Sequence, residues 1–153
     1  MILRSLDNKM FQKSVVSDLA VEALREAERT YKMTGILEEH ILENLYSFFG
    51  DNLLSATELL DKCKLIQYTL QEDTRSVYKI ITSKEQCTIY DNINFCHCET
   101  FRVDVLEKGE SFTCKHVLAV KLGKIMNMAT KEVVSGAQMV EFLNEQFISL
   151  TES

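Results

Sequence analysis

Two short cysteine and histidine pairs are the part of the sequence best suited to metal chemistry. Cys96-His97-Cys98 is followed, after fifteen residues, by Cys114-Lys115-His116. Thiolates and imidazoles are zinc ligands, and a structural site fills all four tetrahedral positions with them. In an extended segment residues i and i+2 face the same side, so each pair can present two donors together. The spacing therefore predicts one structural zinc ion, held by Cys96, Cys98, Cys114 and His116.

His97 is the alternative to His116 as the fourth ligand. In a strand its side chain would point away from those of Cys96 and Cys98, so we expect a solvated loop histidine. A disulfide between Cys96 and Cys98 would close an implausibly small ring, which removes the simplest competing use of that pair.

The other cysteines and histidine lack such spacing. Cys63 and Cys87 have no partner at ligand distance in the sequence, and free cysteine often behaves as a small buried hydrophobe. We therefore expect both in the core. His40 stands among acidic residues of a predicted helix and is expected on the surface. Five thiols in a chain of this kind favour a reducing compartment, the cytosol or the nucleus.

The sequence argues against catalysis at the metal. A catalytic zinc usually has three protein ligands and an open position for water. Zinc deaminases add an H-x-E motif and a P-C-x-x-C partner, and this chain contains no proline. Glycine-rich phosphate loops and serine nucleophile elbows are also missing from the sequence. We predict a closed site that stabilises the fold, in a protein that is not an enzyme.

Charge is unevenly distributed along the chain. The net charge is −6, and residues 18–61 carry ten acidic and three basic side chains, whereas residues 115–131 carry four lysines and no acid. The spacing between the predicted cysteine and histidine ligands differs from that of the zinc fingers that read bases in the major groove. Contact with nucleic-acid phosphates would come from Lys121, Lys124 and Lys131, if the helix from Lys115 persists that far. The alternative is a plain solvated face.

Hydrophobic periodicity indicates which elements position these residues. Steps of three and four predict helices over residues 15–31, 36–49 and 115–126, with shorter ones at 52–60 and after Cys98. Alternation around Ile66 and Val77 predicts a β-hairpin that turns at residues 72–74, and residues 87–95 repeat the pattern more weakly.

A capping box at Ser135 to Gln138 predicts the start of the last helix. Its expected apolar face is formed by Met139, Val140, Leu143 and Phe147. The pattern predicts an α+β fold: N-terminal helices, a small antiparallel sheet, the zinc-stapled finger at its exit, and C-terminal helices.

The length of 153 residues predicts a single domain, 1–153. Within it we expect a helical region at 1–62, the sheet and finger at 63–125, with the finger at about 87–122, and a C-terminal helix at 126–153. Charged residues interrupt the start of the chain before a signal peptide could form, and no stretch reaches membrane-spanning length. We expect no membrane association.

The C-x-C and C-x-H pairs resemble the SWIM-type zinc finger, and Val117 to Val120 is similar to the aliphatic run that trails it. Further segments resemble the short SWIM proteins of the Shu complex, the zinc finger SWIM domain-containing protein 7 family. These segments are Leu45 to Gly50, Ala56 to Asp61 and Val77 to Ile80. The likeness covers roughly residues 40–125.

The resemblance implies a non-enzymatic subunit whose obligate partner is a diverged paralogue of the eukaryotic RecA-like recombinase. Such a subunit would support recombinase filaments on single-stranded DNA, reached through the complex, in homologous recombination, DNA repair and meiosis. It implies the nucleus as the location, with the cytoplasm second. The four metal ligands carry over, and no catalytic residue does. The rival interpretation is direct nucleic-acid binding, as in transposase-associated SWIM fingers, through the three lysines.

Overall fold

The computed structural model describes residues 2–71 and 75–151, and the side chains of residues 17–71 and 75–145. The chain divides into two compact units, one ending at Asp51 and the other beginning at Asn52. That the whole chain forms one domain stays a prediction. Within the described part, every helix is too short or too polar to cross a membrane.

The first unit contains two helices that pack against each other, α1 (Ile2–Thr34) and α2 (Glu39–Phe49). Each is followed by a glycine with positive φ, Gly35 or Gly50, whose N–H donates to a carbonyl of the last turn. Glycine tolerates this backbone conformation and so ends both helices. Among the side chains described from Ser17 onward, the buried ones on the two helices are Ala20, Ala23, Ala27, Ile41 and Leu45. Both predicted helices are confirmed, and α1 is longer than predicted.

Except for its first residue, α3 (Asp51–Lys62) belongs to the second unit, which continues into the predicted hairpin, β1 (Lys64–Thr69) and β2 (Ser76–Ile81). The two strands are antiparallel, and β3 (Gln86–Tyr90) pairs antiparallel with the other edge of β2. The predicted turn at residues 72–74 lies outside the described residues. Central strand β2 is buried over most of its length, since helices pack against this sheet.

A fourth strand, β4 (Thr130–Val133), lies parallel to β1 and completes a mixed sheet of order β3-β2-β1-β4. It lies within the range predicted as C-terminal helix, 126–153, so that part of the prediction is wrong. All four of its residues are exposed, and therefore no alternation of apolar residues marked it in the sequence. The α+β class is confirmed, but the predicted antiparallel sheet is mixed, because β4 pairs parallel with β1.

The last helix, α5 (Gly136–Thr151), begins at the predicted capping box. The N–H of Gln138 donates to Ser135 Oγ at 3.2 Å, and the N–H of Ser135 donates to Gln138 Oε1 at 3.1 Å. The predicted apolar face is only partly correct, because Met139 is buried but Val140 and Leu143 are exposed. The side chain of Phe147 lies outside the described residues.

The side chains of α5 that contact the sheet include Phe142 and Glu145, which were not part of the predicted apolar face. The Phe142 ring lies 4.7 Å from that of Tyr68. Lys79, which is buried, donates to Glu145 Oε1 at 3.1 Å and lies 4.2 Å from the centre of the Phe142 ring. The α5 helix thus covers the sheet with a mixed aromatic and ionic contact.

The core of the second unit is built around α4 (Lys115–Ile125), which follows a π-helical turn at Phe101–Glu107. Its buried residues surround the helix instead of forming one stripe: His116, Val117, Leu118, Ala119, Val120, Leu122 and Gly123. A helix that is buried over most of its circumference belongs to a core. This central position fixes the N-terminal end of α4, where two of the predicted ligands lie.

Gly123→Ala should destabilise the protein, because a Cβ at this position would overlap Leu65 Cδ2 and approach Leu60 Cδ2 to 3.4 Å. Both leucine side chains are buried, so they have little room to move away. Overpacking typically lowers the free energy of unfolding by about 1–3 kcal/mol. The better helix propensity of alanine offsets up to about 1 kcal/mol of this loss. Gly136→Ala is the matched control, since nothing lies within 4 Å of the added methyl group. Urea denaturation should show Gly123→Ala to be the less stable variant. Equal midpoints for the two variants would contradict this packing.

Candidate metal centre

The four predicted ligands come together in the structure. One ligand atom from each of Cys96, Cys98, Cys114 and His116 lies within 4.8 Å of the others. Cys96, Cys114 and His116 are buried, and Cys98 is partly exposed. Residues sixteen positions apart along the chain, Cys98 and Cys114, thus contribute to one cluster.

Each pair is positioned by a different local structure. Cys96 and Cys98 lie in the irregular segment between β3 and the π-helical turn, and the N–H of Phe101 donates to Cys98 Sγ at 3.3 Å. Cys114 is the extended N-cap residue of α4, and His116 lies in its first turn. The expectation that both pairs lie in extended segments is therefore wrong for His116. The close approach arises because the chain changes from extended to helical at Cys114.

Two asparagines hold the end of the fifteen-residue spacer. Asn94 donates to the carbonyl of Phe112 at 2.8 Å, and Asn52 donates to the carbonyl of Thr113 at 3.1 Å. Both bonds tie the residues directly before Cys114 to other parts of the unit. The second ligand pair is therefore fixed against the first by the protein itself.

The imidazole of His116 has a defined orientation. Its Nδ1 lies 3.7 Å from Cys96 Sγ and 3.9 Å from Cys114 Sγ. Its Nε2 faces the other way and lies 3.1 Å from Glu85 Oε1. Sequence reasoning did not identify Glu85, and no spacing signal marks it, because it approaches His116 from the turn between β2 and β3.

Hydrogen bonds within the cluster change the pKa values of its members. Hydrogen bonds with Cys114 and Cys96 hold the pKa of Cys98 far below its usual range. Burial by itself would lower the pKa of His116, but hydrogen bonds, foremost with Cys114, raise it to about 10. A divalent cation is the strongest local charge in such a site and would stabilise the thiolates and the neutral imidazole together.

The donor set fits one zinc ion. Three sulfurs and one imidazole nitrogen form a Cys₃His site. With Zn–S bonds of about 2.3 Å and a Zn–N bond of about 2.0 Å, a tetrahedral ion places the nitrogen about 3.5 Å from each sulfur. The distances from His116 Nδ1 to two of the sulfurs, 3.7 and 3.9 Å, are slightly longer than this value. The cluster could therefore hold one metal ion once its ligand atoms, which lie within 4.8 Å of one another, draw closer together.

His97 is not a member of the cluster. Its ring is exposed and packs edge-on against Phe95, with 5.0 Å between the ring centres. It lines an open cavity of about 490 Å³ beside the cluster. The cavity lining comprises Glu85, Gln86, Cys87, Thr88, His97, Cys98, His116 and Glu145.

The two other cysteines differ in their surroundings. Both are partly exposed, so neither is a fully buried core residue as predicted. Burial raises the pKa of the Cys63 thiol. Cys87 lies on β3 with its Sγ 3.4 Å from Cys96 Sγ, a proximity that spacing did not indicate. His40 is exposed and lies 3.3 Å from a carboxylate oxygen of Glu38, in agreement with the surface position predicted for it.

The three lysines predicted to contact phosphates do not share one helix. Lys121 and Lys124 lie on α4, which ends at Ile125, whereas Lys131 lies on β4. Lys124 and Lys131 nevertheless line the same depression of about 230 Å³. Lys124 forms an ion pair with Asp91. Burial, followed by the charge of Lys124, lowers the pKa of Lys121.

Comparison with curated proteins finds relatives over most of the chain. Zinc finger SWIM domain-containing protein 7 of Danio rerio is 30% identical over 133 residues, which are 87% of this chain and 94% of the relative. The Homo sapiens protein of the same name is 28% identical, with 84% and 92% covered. The homolog from Dictyostelium discoideum is 28% identical, with 76% and 70% covered. No protein-family model and no solved structure matches the chain.

Proposed function

Because the chain belongs to the family of zinc finger SWIM domain-containing protein 7, we propose that it is a zinc-stabilised, non-enzymatic subunit of a Shu-type complex. In this proposal the subunit pairs with a RecA-like recombinase paralogue. The pair supports recombinase filaments on single-stranded DNA in homologous recombination and DNA repair, and it acts in the nucleus.

The observation that carries the proposal is the four-donor cluster of Cys96, Cys98, Cys114 and His116. A zinc ion bound by all four would have no open position for water or substrate. Its binding energy would stabilise the folded state. This arrangement supports a role in holding a binding surface in shape over a role in chemistry.

Exposed apolar side chains on the first unit support the docking of a partner. Met33, near the end of α1, is 87% exposed, and Ile36, just after it, is 60% exposed. Tyr46 is exposed on α2. Apolar surface that remains exposed often marks a protein interaction site. We assign the recombinase paralogue to the surface around Met33 and Ile36.

The test is co-purification of the chain with a recombinase paralogue. The wild-type chain should form a stable complex, and Met33→Glu/Ile36→Glu should weaken it about thirtyfold or more, the effect of losing about 2 kcal/mol at a binding hot spot. Val133→Glu is the control, since Val133 is also an exposed apolar residue but lies on β4. A complex unaffected by the double substitution would contradict the assigned surface. Failure of the wild type to bind any paralogue would contradict the function.

Direct binding of nucleic acid is the second candidate, and the shared depression of Lys124 and Lys131 favours it. The ion pair between Lys124 and Asp91 and the net charge of −6 argue against tight binding. Three phosphate contacts would give a log–log salt slope of about −2 for single-stranded DNA. We expect the isolated chain to bind weakly. Tight binding with such a slope, lost when all three lysines are changed to glutamine, would favour the second candidate.

A further inference from the structure

Glu85 is the protein group that faces the outer nitrogen of a predicted metal ligand. The side chain of His116 is 5% exposed, so its ring has little room to reorient. Its Nδ1 is directed at the sulfurs of Cys96 and Cys114, and its Nε2 lies 3.1 Å from Glu85 Oε1. A carboxylate can only accept at this distance. In the neutral ring that metal binding requires, the N–H is therefore at Nε2.

The turn that carries Glu85 is itself fixed. The hydroxyl of Thr82 accepts from the N–H groups of Lys84 and Glu85, at 3.2 and 3.0 Å. The N–H of Thr82 donates to the carbonyl of Glu85 at 2.9 Å. These bonds close the connection between β2 and β3 and hold Glu85 directly before the first residue of β3. Its carboxylate is thus presented to His116 from a restrained backbone.

We propose that Glu85 is a positioning residue of the metal centre: it accepts the Nε2–H of His116 and so directs Nδ1 to the metal. The inference deepens the proposed function, since it rests on a metal bound by the four-donor cluster. A hydrogen bond from the outer N–H of a ligand histidine fixes its tautomer and ring orientation and makes the ligating nitrogen more basic. Glu85 would therefore raise metal affinity without touching the metal.

The experiment measures the zinc affinity of the purified full-length chain by competition with a chromophoric chelator. Glu85→Ala should bind zinc about 10–100-fold more weakly, the usual effect of losing such an outer partner. Glu85→Gln should lose less, because its amide oxygen still accepts from Nε2–H. Glu145→Gln is the charge control, since it removes another carboxylate from the same cavity. The oxygens of the Glu145 carboxylate accept from Lys79 and Thr88. We expect it to retain nearly wild-type affinity.

A second readout separates positioning from a general effect on stability. In nitrogen NMR spectra of the zinc-loaded wild type, His116 should be protonated at Nε2 and bound to metal through Nδ1. Metal bound through Nε2 would overturn the inference. So would equal zinc affinities for wild type and Glu85→Ala, or an equal loss in Glu145→Gln. If the wild type binds no zinc, the proposed metal function itself fails, and this result is distinct from the others.

Discussion

Cys114→Ser is expected to abolish zinc retention and to destabilise the second unit. Cys114 is completely buried, and its sulfur is one of the four donors in the cluster. Serine has nearly the same shape but lacks the thiolate that zinc binds. Elemental analysis should give about one zinc per wild-type chain and almost none in the variant. Loss of a structural metal belongs to the largest class of single-substitution effects, above about 4 kcal/mol.

His97→Ala is the control for this prediction. His97 is the nearest alternative imidazole in the sequence, but it is exposed and lies outside the cluster. The variant should retain zinc and nearly the full free energy of unfolding. Zinc retained in Cys114→Ser, or lost in His97→Ala, would contradict the ligand assignment. A different metal in the wild-type protein would contradict the zinc proposal while leaving the ligand set intact.

Phe101→Ala should produce the second large effect, on stability. The ring is 2% exposed and packs edge-on against Phe95, with 5.6 Å between ring centres. Removing a buried phenylalanine side chain typically costs about 3–5 kcal/mol. The same residue donates its backbone N–H to Cys98 Sγ, so a shift of the π-helical turn would also disturb the metal centre. Urea denaturation at saturating zinc measures the loss.

Leu106→Ala is the matched control, because Leu106 lies in the same π-helical turn but is 62% exposed. Its truncation should change the free energy of unfolding by no more than about 0.5 kcal/mol, as for other surface positions. Similar losses in the two variants would show that the turn is not anchored through Phe101.

The cluster of the four predicted metal ligands was the most predictable feature of the chain. Zinc prefers particular residue types, and two donors separated by a single residue need only a short local segment to converge, so the grouping of Cys96, Cys98, Cys114 and His116 could be predicted without a fold. The helices were nearly as predictable, because an apolar period near 3.6 residues is a local property. The capping box of Ser135 and Gln138 is similarly local, and the predicted bonds are present.

Apolar periodicity did not predict which side chains make contacts where those contacts depend on a segment distant in the sequence. Val140 and Leu143 are apolar and suitably spaced, yet Phe142 is the side chain of α5 that packs on Tyr68. The direction in which α5 lies on the sheet decides which of its faces is covered. Lys131 would have joined Lys121 and Lys124 on one helix if that helix had persisted, but the backbone leaves α4 at Ile125 and joins the sheet.

The sequence by itself determined the donor set, the helical segments and the α+β class. Tertiary structure alone decided the parallel pairing of β4 with β1, the approach of Cys87 to Cys96 and the carboxylate that faces His116. Side-chain periodicity reports which positions along an element are apolar, but it carries no information about which remote segment lies opposite them. Hence the four clustered donors could be predicted from their spacing, whereas Glu85, thirty-one residues before His116, became a neighbour only when the sheet and α4 came together.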